Sequence, residues 1–223
     1  MIYDSIISII DNTIDDLQNY SLELKEDQSL VTTVDLSIEK QLIEFFKKLS
    51  PSILIIGEES YDGSLKWDFK NKDFLIVDPI DGTENFAFLN KLYGTVLSWR
   101  IAGVEGNLIY IPSEKLIIND NSNYKLSGKK STIDLFSSKC VNTRKINIPE
   151  RARVLGSSSY MFSLLLTGAA QSYTYCNGAK IWDCYTGLSL ARKFGLIIDN
   201  IPFDYFDYPN HIQKFNVYHE TKK

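Results

Sequence analysis

The stretch that most constrains this chain is Phe74-Leu75-Ile76-Val77-Asp78-Pro79-Ile80-Asp81-Gly82-Thr83-Glu84-Asn85-Phe86. Its four leading apolar residues, two of them β-branched, read as a short buried strand. That strand runs straight into two carboxylates with Pro79 between them. Gly82, Thr83 and Asn85 then compose a turn that exposes backbone N–H groups. Carboxylates hold hard cations through oxygen, and free amides hold anions. Both together suit a phosphate bound through magnesium. An Asp before a Gly is also ordinary turn chemistry, so the remaining residues have to decide.

A chain of 223 residues can bury a sizeable core as one large unit or two small ones. Its net charge of -4 gives no electrostatic case for nucleic acid. The basic residues Lys125, Lys129, Lys130, Lys139, Arg144 and Lys145 read as solvated loop. No Lys or Arg precedes Lys25, and Asp4 and Asp11 interrupt the first apolar pattern, so a signal peptide is not expected. Nor is a membrane span, since no long apolar run occurs. Cys140, Cys176 and Cys184 are odd in number and lack metal spacing, which fits reduced thiols in a cytoplasmic protein.

Ile2, Ile6, Ile9, Ile10, Ile14 and Leu17 follow helical spacing. Residues 23–30 are polar and read as a hairpin tip or loop, ahead of a β-prone run ending at Asp35. Ile38, Leu42, Phe45 and Leu49 mark a second helix, for which Asp35 is a natural N-cap. Ile53–Ile56 reads as a buried strand ending in Gly57-Glu58-Glu59-Ser60, acids that in isolation are simply solvated. Tyr93–Ile101 and Gly106–Ile111 read as paired strands around a turn at Gly103-Val104-Glu105. A helix over Met161–Ala170 follows Gly156-Ser157-Ser158-Ser159, and Ser172–Tyr175 is a strand. Lys180–Phe194 is a helix with Trp182-Asp183 in its first turn and Gly195 as C-cap. A division into an N-terminal metal- and phosphate-binding part, 1–111, and a C-terminal substrate-side part, 112–223, is expected.

Strands ending in Glu58 and Asp78, with helix starts near Asp35, Asp81 and Asp183, converge at one edge in a layered α/β arrangement. Acids brought together repel unless cations neutralise them, and oxygen-only ligands match Mg²⁺. The only histidines, His211 and His219, lie near the C-terminal end, which leaves metal-activated water as the natural nucleophile.

Thr33-Val34-Asp35, Gly57-Glu58-Glu59-Ser60, Asp78-Pro79-Ile80-Asp81-Gly82-Thr83 with Asn85-Phe86, and Trp182-Asp183 with Gly187 resemble, in order, the signatures of the inositol monophosphatase family. That family lies within the lithium-sensitive, magnesium-dependent phosphatases. The resemblance implies an α+β fold, a layered α/β/α/β/α sandwich, acting as a homodimer on a small phosphomonoester. It also implies two or three Mg²⁺ ions per site. Glu58, Asp78 and the Ile80 carbonyl would hold one ion, and Asp78, Asp81 and Asp183 the second. Glu58 would assist a third through water. Asp35 and Thr83, with Glu58, carry the implied catalysis, Thr83 orienting the attacking water. The Gly82 and Thr83 amides would receive the phosphate.

The implied substrate side is Gly156, Ser157, Ser158, Cys176 and Lys180. Cys176 stands where the family usually has a hydroxyl-binding Glu, and Lys180 suits a more anionic substrate, or is a surface lysine. The expected substrate is an inositol phosphate or a related sugar or polyol phosphate. Alternatives are a sugar bisphosphatase, a 3′-phosphoadenosine-5′-phosphate phosphatase, or a non-catalytic relative that binds metal or a partner. In a haloacid-dehalogenase-type phosphatase one residue separates the two aspartates, whereas two residues separate Asp78 from Asp81.

Overall fold

The apolar run at Phe74 is the second strand of a five-stranded sheet, buried along its whole length. A computed structural model describes residues 2–17, 19–62, 69–123, 131–142, 149, 151–176, 178–202, 204–206 and 214–219. Helix α1 (Ile2–Asp16) and a hairpin of β1 (Leu22–Leu24) and β2 (Leu30–Thr32) come first. They are followed by α2 (Thr33–Leu49), β3 (Leu54–Gly57), β4 (Phe74–Asp81), α3 (Thr83–Leu89), β5 (Gly94–Ile101), β6 (Val104–Ile111) and β7 (Leu116–Asn119). Then come β8 (Asp134–Phe136), α4 (Ser138–Asn142), β9 (Ala152–Arg153) and α5 (Ser158–Leu166). The chain closes with β10 (Ser172–Tyr175), α6 (Ile181–Lys193), β11 (Ile197–Asp199) and β12 (Phe215–Tyr218).

The first sheet has the order β3-β4-β5-β6-β7, and the second β11-β12-β10-β8-β9. Strand β4 runs parallel to β3 and antiparallel to β5. Alternate residues of a strand face opposite sides, so the Phe74–Val77 part of β4 is apolar at every position and serves two layers. Leu75 and Val77 pack with Ile6, Ile10, Ile38, Leu42 and Phe46 of α1 and α2. Phe74 and Ile76 join a second core with Phe162 and Leu165 of α5 and Leu188 and Ala191 of α6. The chain is thus an α+β layered sandwich, with α1 and α2, the first sheet, α5 and α6, and the second sheet in succession. Short α4 is joined to the end of β10 through Cys140 and Cys176.

Close approach of α5 and α6 depends on Gly187, where a Cβ would sit 2.3 Å from the Phe162 ring. Gly187→Ala is expected to destabilise the fold by about 1–3 kcal/mol through overpacking, measured by chemical denaturation. An unchanged midpoint would show that the two helices can separate without cost.

Four expectations change in the structure. The strand at Phe74 continues through Pro79 to Asp81, because a register shift between Asp78 and Asp81 absorbs the missing proline N–H. The Pro79 carbonyl accepts a bond from Thr95 Oγ1 at 2.7 Å. Asp35 is not the N-cap of α2: Thr32 is, and Asp35 lies three residues inside. The β5–β6 turn is Ala102-Gly103, both at positive φ, so Val104 and Glu105 already belong to β6.

Cys140 and Cys176 are not reduced thiols but a disulfide, with Cα atoms 4.9 Å apart. Parallel pairing of β8 with β10 sets Phe136 beside Thr174, so the segments that follow emerge side by side from one sheet end. Cys184 is free and buried. The pairing removes the reduced-thiol argument for a cytoplasmic setting. Among the described residues no helix is long and apolar enough to cross a membrane. Lys125, Lys129, Lys130, Arg144, Lys145, Phe203, Tyr208 and His211 lie outside the described residues. His219 is structural, its ring nitrogen 2.8 Å from the Leu165 carbonyl oxygen.

Candidate active site

Asp78 sits in β4 just ahead of the register shift, 1% exposed. Its Oδ1 is buried with no hydrogen-bond partner among the described residues. Burial lifts its carboxyl well above the usual range, and the charges of Glu58, Asp81 and Asp183 push the same way. Glu58 follows β3, and its backbone N–H donates to the Val77 carbonyl at 3.1 Å. That bond places Glu58 beside Asp78. The Glu58 carboxyl is pushed up to about 7 by burial, against the pull of the Lys25 ammonium 3.3 Å away. Asp183, in the first turn of α6, is also pushed up to about 7, by burial first and then by the charges of Asp81 and Glu58.

Asp81 is buried but solvated by protein donors. Its Oδ2 accepts bonds from Ser157 Oγ at 2.7 Å and from the Ser159 backbone N–H. Burial raises its carboxyl while these donors oppose the rise. Asp183 Oδ2 accepts the Tyr175 hydroxyl at 3.0 Å and the Lys180 N–H at 3.3 Å. Such donors set the direction of each carboxylate but do not cancel its charge.

Asp35 is held by a capping box, its Oδ2 accepting the Thr32 N–H at 2.9 Å and the Thr32 hydroxyl. The other oxygen lies 3.2 Å from Thr83 Oγ1, which is also 3.1 Å from the Ile80 carbonyl oxygen. A hydroxyl has one proton, so Thr83 donates to one of these at a time. Gly82 precedes α3 at φ 95° and supplies no side-chain cap. A Cβ there would meet Ser157 Cβ at 2.9 Å, so only glycine lets the two turns touch.

Among the sequence-predicted residues, Glu58, Asp78, Asp81 and Asp183 are neighbours that feel one another's charge, with Ile80, Gly82, Thr83 and Asp35 around them. As the side chains stand, no three of the described acids close into a preformed ligand sphere. Glu58 is instead drawn toward Lys25, which also meets Glu59 at 2.7 Å. The donors nevertheless fit a hard cation. All are oxygens, they repel one another, and Asp78 Oδ1 is a buried acceptor with no donor among the described residues.

Gly156 lies at φ 77° against Asn85, whose Nδ2 donates to the Leu92 and Leu155 carbonyls at 2.9 and 2.7 Å. The Ser157 hydroxyl is turned inward to Asp81, and Ser158 Oγ lies 3.0 Å from the Tyr173 hydroxyl. Cys176 and Lys180 lie between Tyr175 and Asp183 in the chain, Cys176 bonded to Cys140 and the Lys180 N–H 3.3 Å from Asp183 Oδ2. Sequence reasoning missed Lys25, Thr32, Ser159 and Tyr175. A single lysine between acids at the hairpin tip was the one available signal.

Residues 4–104 match the inositol monophosphatase family. Inositol monophosphatase 1 of Rattus norvegicus is 27% identical over 206 residues, covering 78% of this chain and 73% of the relative. An IMPase/NADP phosphatase solved with Mg²⁺ and phosphate superposes with a TM-score of 0.79 at 18% identity, covering 98% of this chain and 89% of that one. A staphylococcal inositol monophosphatase in a lithium-soaked inhibitory complex gives a TM-score of 0.76 at 18% identity, over 98% and 89% of the two chains. The architecture is thus that of an inositol-monophosphatase-type sandwich with acids gathered where two strands and a helix end. In sequence, residues 4–104 are similar to the inositol monophosphatase family.

Proposed function

We propose that the chain is a phosphoric monoester hydrolase, releasing phosphate from a small phosphorylated polyol or sugar with Mg²⁺ as cofactor. The observation that carries this reading is Asp78 Oδ1, without a hydrogen-bond partner among the described residues, within a group of four mutually repelling, buried or half-buried acids. Glu58, Asp78 and the Ile80 carbonyl would hold one ion, and Asp78, Asp81 and Asp183 another, with Glu58 also assisting a third. Bound there, the ions supply Lewis acidity toward a phosphoryl oxygen and lower the pKa of water.

The chain's own residues do the orienting. Thr32 fixes the Asp35 carboxylate, and Asp35 accepts the Thr83 proton, so the lone pairs of Thr83 Oγ1 face a water. Gly82 and Thr83 receive the phosphate on their N–H groups at the uncapped start of α3. Ser157 and the Ser159 N–H aim Asp81 rather than reading substrate hydroxyls. At this turn the substrate then meets Gly156. The names of the rat relative and of the structural neighbours support this reading, and a homodimer belongs to it.

The test is phosphate release from inositol-1-phosphate, glycerol-2-phosphate, fructose-1,6-bisphosphate and 3′-phosphoadenosine-5′-phosphate, with Mg²⁺, with EDTA and with added Li⁺. Magnesium-dependent, lithium-sensitive release is the expected result, and the preferred compound names the branch. Absence of release from all four, with Mg²⁺ still bound, would make the chain a non-catalytic binding relative.

A further inference from the structure

We propose that Lys139 and Lys180 form a cationic wall beside the site that selects phosphomonoesters carrying a second anionic group, such as sugar bisphosphates. The inference rests on the phosphatase reading above and names the substrate class of the same site.

The wall is assembled by topology. Parallel pairing of β8 with β10 sends α4 and the segment after Tyr175 off the same sheet end. The Cys140–Cys176 bond then ties the two together. Lys139 is the residue next to that bond, and its Nζ donates to the Gly178 carbonyl at 3.2 Å. The same ammonium lies 5.7 Å from the centre of the Tyr175 ring, whose hydroxyl is bonded to Asp183 Oδ2 at 3.0 Å. The Lys139 charge also reaches Asp183, where it opposes the burial that lifts that carboxyl.

Lys180 approaches from the other end of the segment. It is the N-cap residue of α6, its N–H 3.3 Å from Asp183 Oδ2, and its Nζ lies 5.9 Å from the Trp182 ring centre. Both lysines are exposed, and among the described residues neither forms an ion pair with a carboxylate. The acid facing Lys180 is Asp27 at the β1–β2 tip, already bonded to Ser29 N–H and Oγ at 3.0 and 2.6 Å. Between the lysines the disulfide sulfurs carry no proton and no charge. Among the described residues this side therefore presents ammonium groups and carbonyls to a leaving group, and the Asp27 carboxylate that faces Lys180 is already engaged by Ser29. An ammonium without a partner acid gains most from a second phosphate or carboxylate on the substrate.

The experiment compares fructose 1-phosphate with fructose 1,6-bisphosphate, which share the C1 phosphate and differ by the second one. With the full chain and Mg²⁺, kcat/KM is expected to favour the bisphosphate about tenfold, mainly through KM, and the preference should shrink at high salt. Lys139→Gln and Lys180→Gln should each lower the bisphosphate value several-fold more than the monophosphate value, with the Lys→Arg variants retaining the preference. A small dithiol reductant tests the staple. It delivers two electrons and two protons to the Cys140–Cys176 bond, leaving two thiols and closing its own disulfide. Reduction, verified by thiol titration, should narrow the preference, and Cys140→Ser should do the same without reductant.

Equal kcat/KM for the two compounds, or a preference that survives both glutamine variants, overturns the inference and leaves the phosphatase reading standing. Release from neither compound nor any phosphomonoester overturns both.

Discussion

Asp81→Asn is expected to lower phosphate release by about a thousandfold or more while leaving the folded chain at least as stable as before. The amide keeps one oxygen, which can still accept the bonds from Ser157 Oγ and Ser159 N–H that hold the side chain in place. What it loses is the charge. An amide group pointed at Asp78 and Asp183 donates to carboxylates that now repel one another, so a strained acid pocket becomes a satisfied one. The pocket then has too little negative charge to hold cations. Steady-state phosphate release and thermal melting, measured on the same preparation, read the two halves separately. Near-native turnover would remove Asp81 from the ligand set, and a large fall in melting temperature would show that its role is structural.

A second expectation concerns the metal-free protein, which should lose stability as pH rises from about 4 to about 7.5. Glu58 and Asp183 have ordinary values of 4.5 and 3.8 and are pushed up to about 7 when folded. Between those limits the folded chain holds more protons than the unfolded one. Stability rises with pH only where the unfolded state holds more protons, so here it falls, by about 1.4 kcal/mol per pH for each extra proton held. The full penalty is present above the folded values, where both acids are charged beside Asp78. Millimolar Mg²⁺ should raise the melting temperature strongly at about pH 8 and little at about pH 5, because protonated carboxyls bind no cation. A melting temperature that is flat with pH in EDTA, or a magnesium effect of equal size at both pH values, would show that these acids do not form a cation site.

Much of the architecture was readable from residue order. The unbroken apolar run of β4 announced a strand buried on both faces, and the stripes of α1 and α2 announced one-sided helices. Glu58, Asp78 and Asp183 could be gathered because strand ends and helix starts share an edge in layered folds. What escaped were features made by tertiary pairing. The Cys140–Cys176 bond depends on β8 lying parallel to β10, which no local spacing encodes. Lys25 looked like one charge in a solvated tip, and only the fold carries it to Glu58 and Glu59. Thr32 and Asp35 are both good caps three residues apart, and the reciprocal bonds of the capping box decide between them. From the sequence the strand is expected to end at Asp78, and a register shift lets it continue through Pro79 to Asp81.

The acids come from the ends of β3 and β4 and from the first turn of α6, more than a hundred residues further on. No contiguous piece of the chain contains the pocket. Helix α6 reaches Glu58 and Asp78 only when the layer between the sheets has docked on both, so the site exists only once these long-range contacts have formed. Turnover by this chain therefore measures whether its halves are assembled: a preparation with intact secondary structure but a loosened middle layer has all the right residues and no pocket.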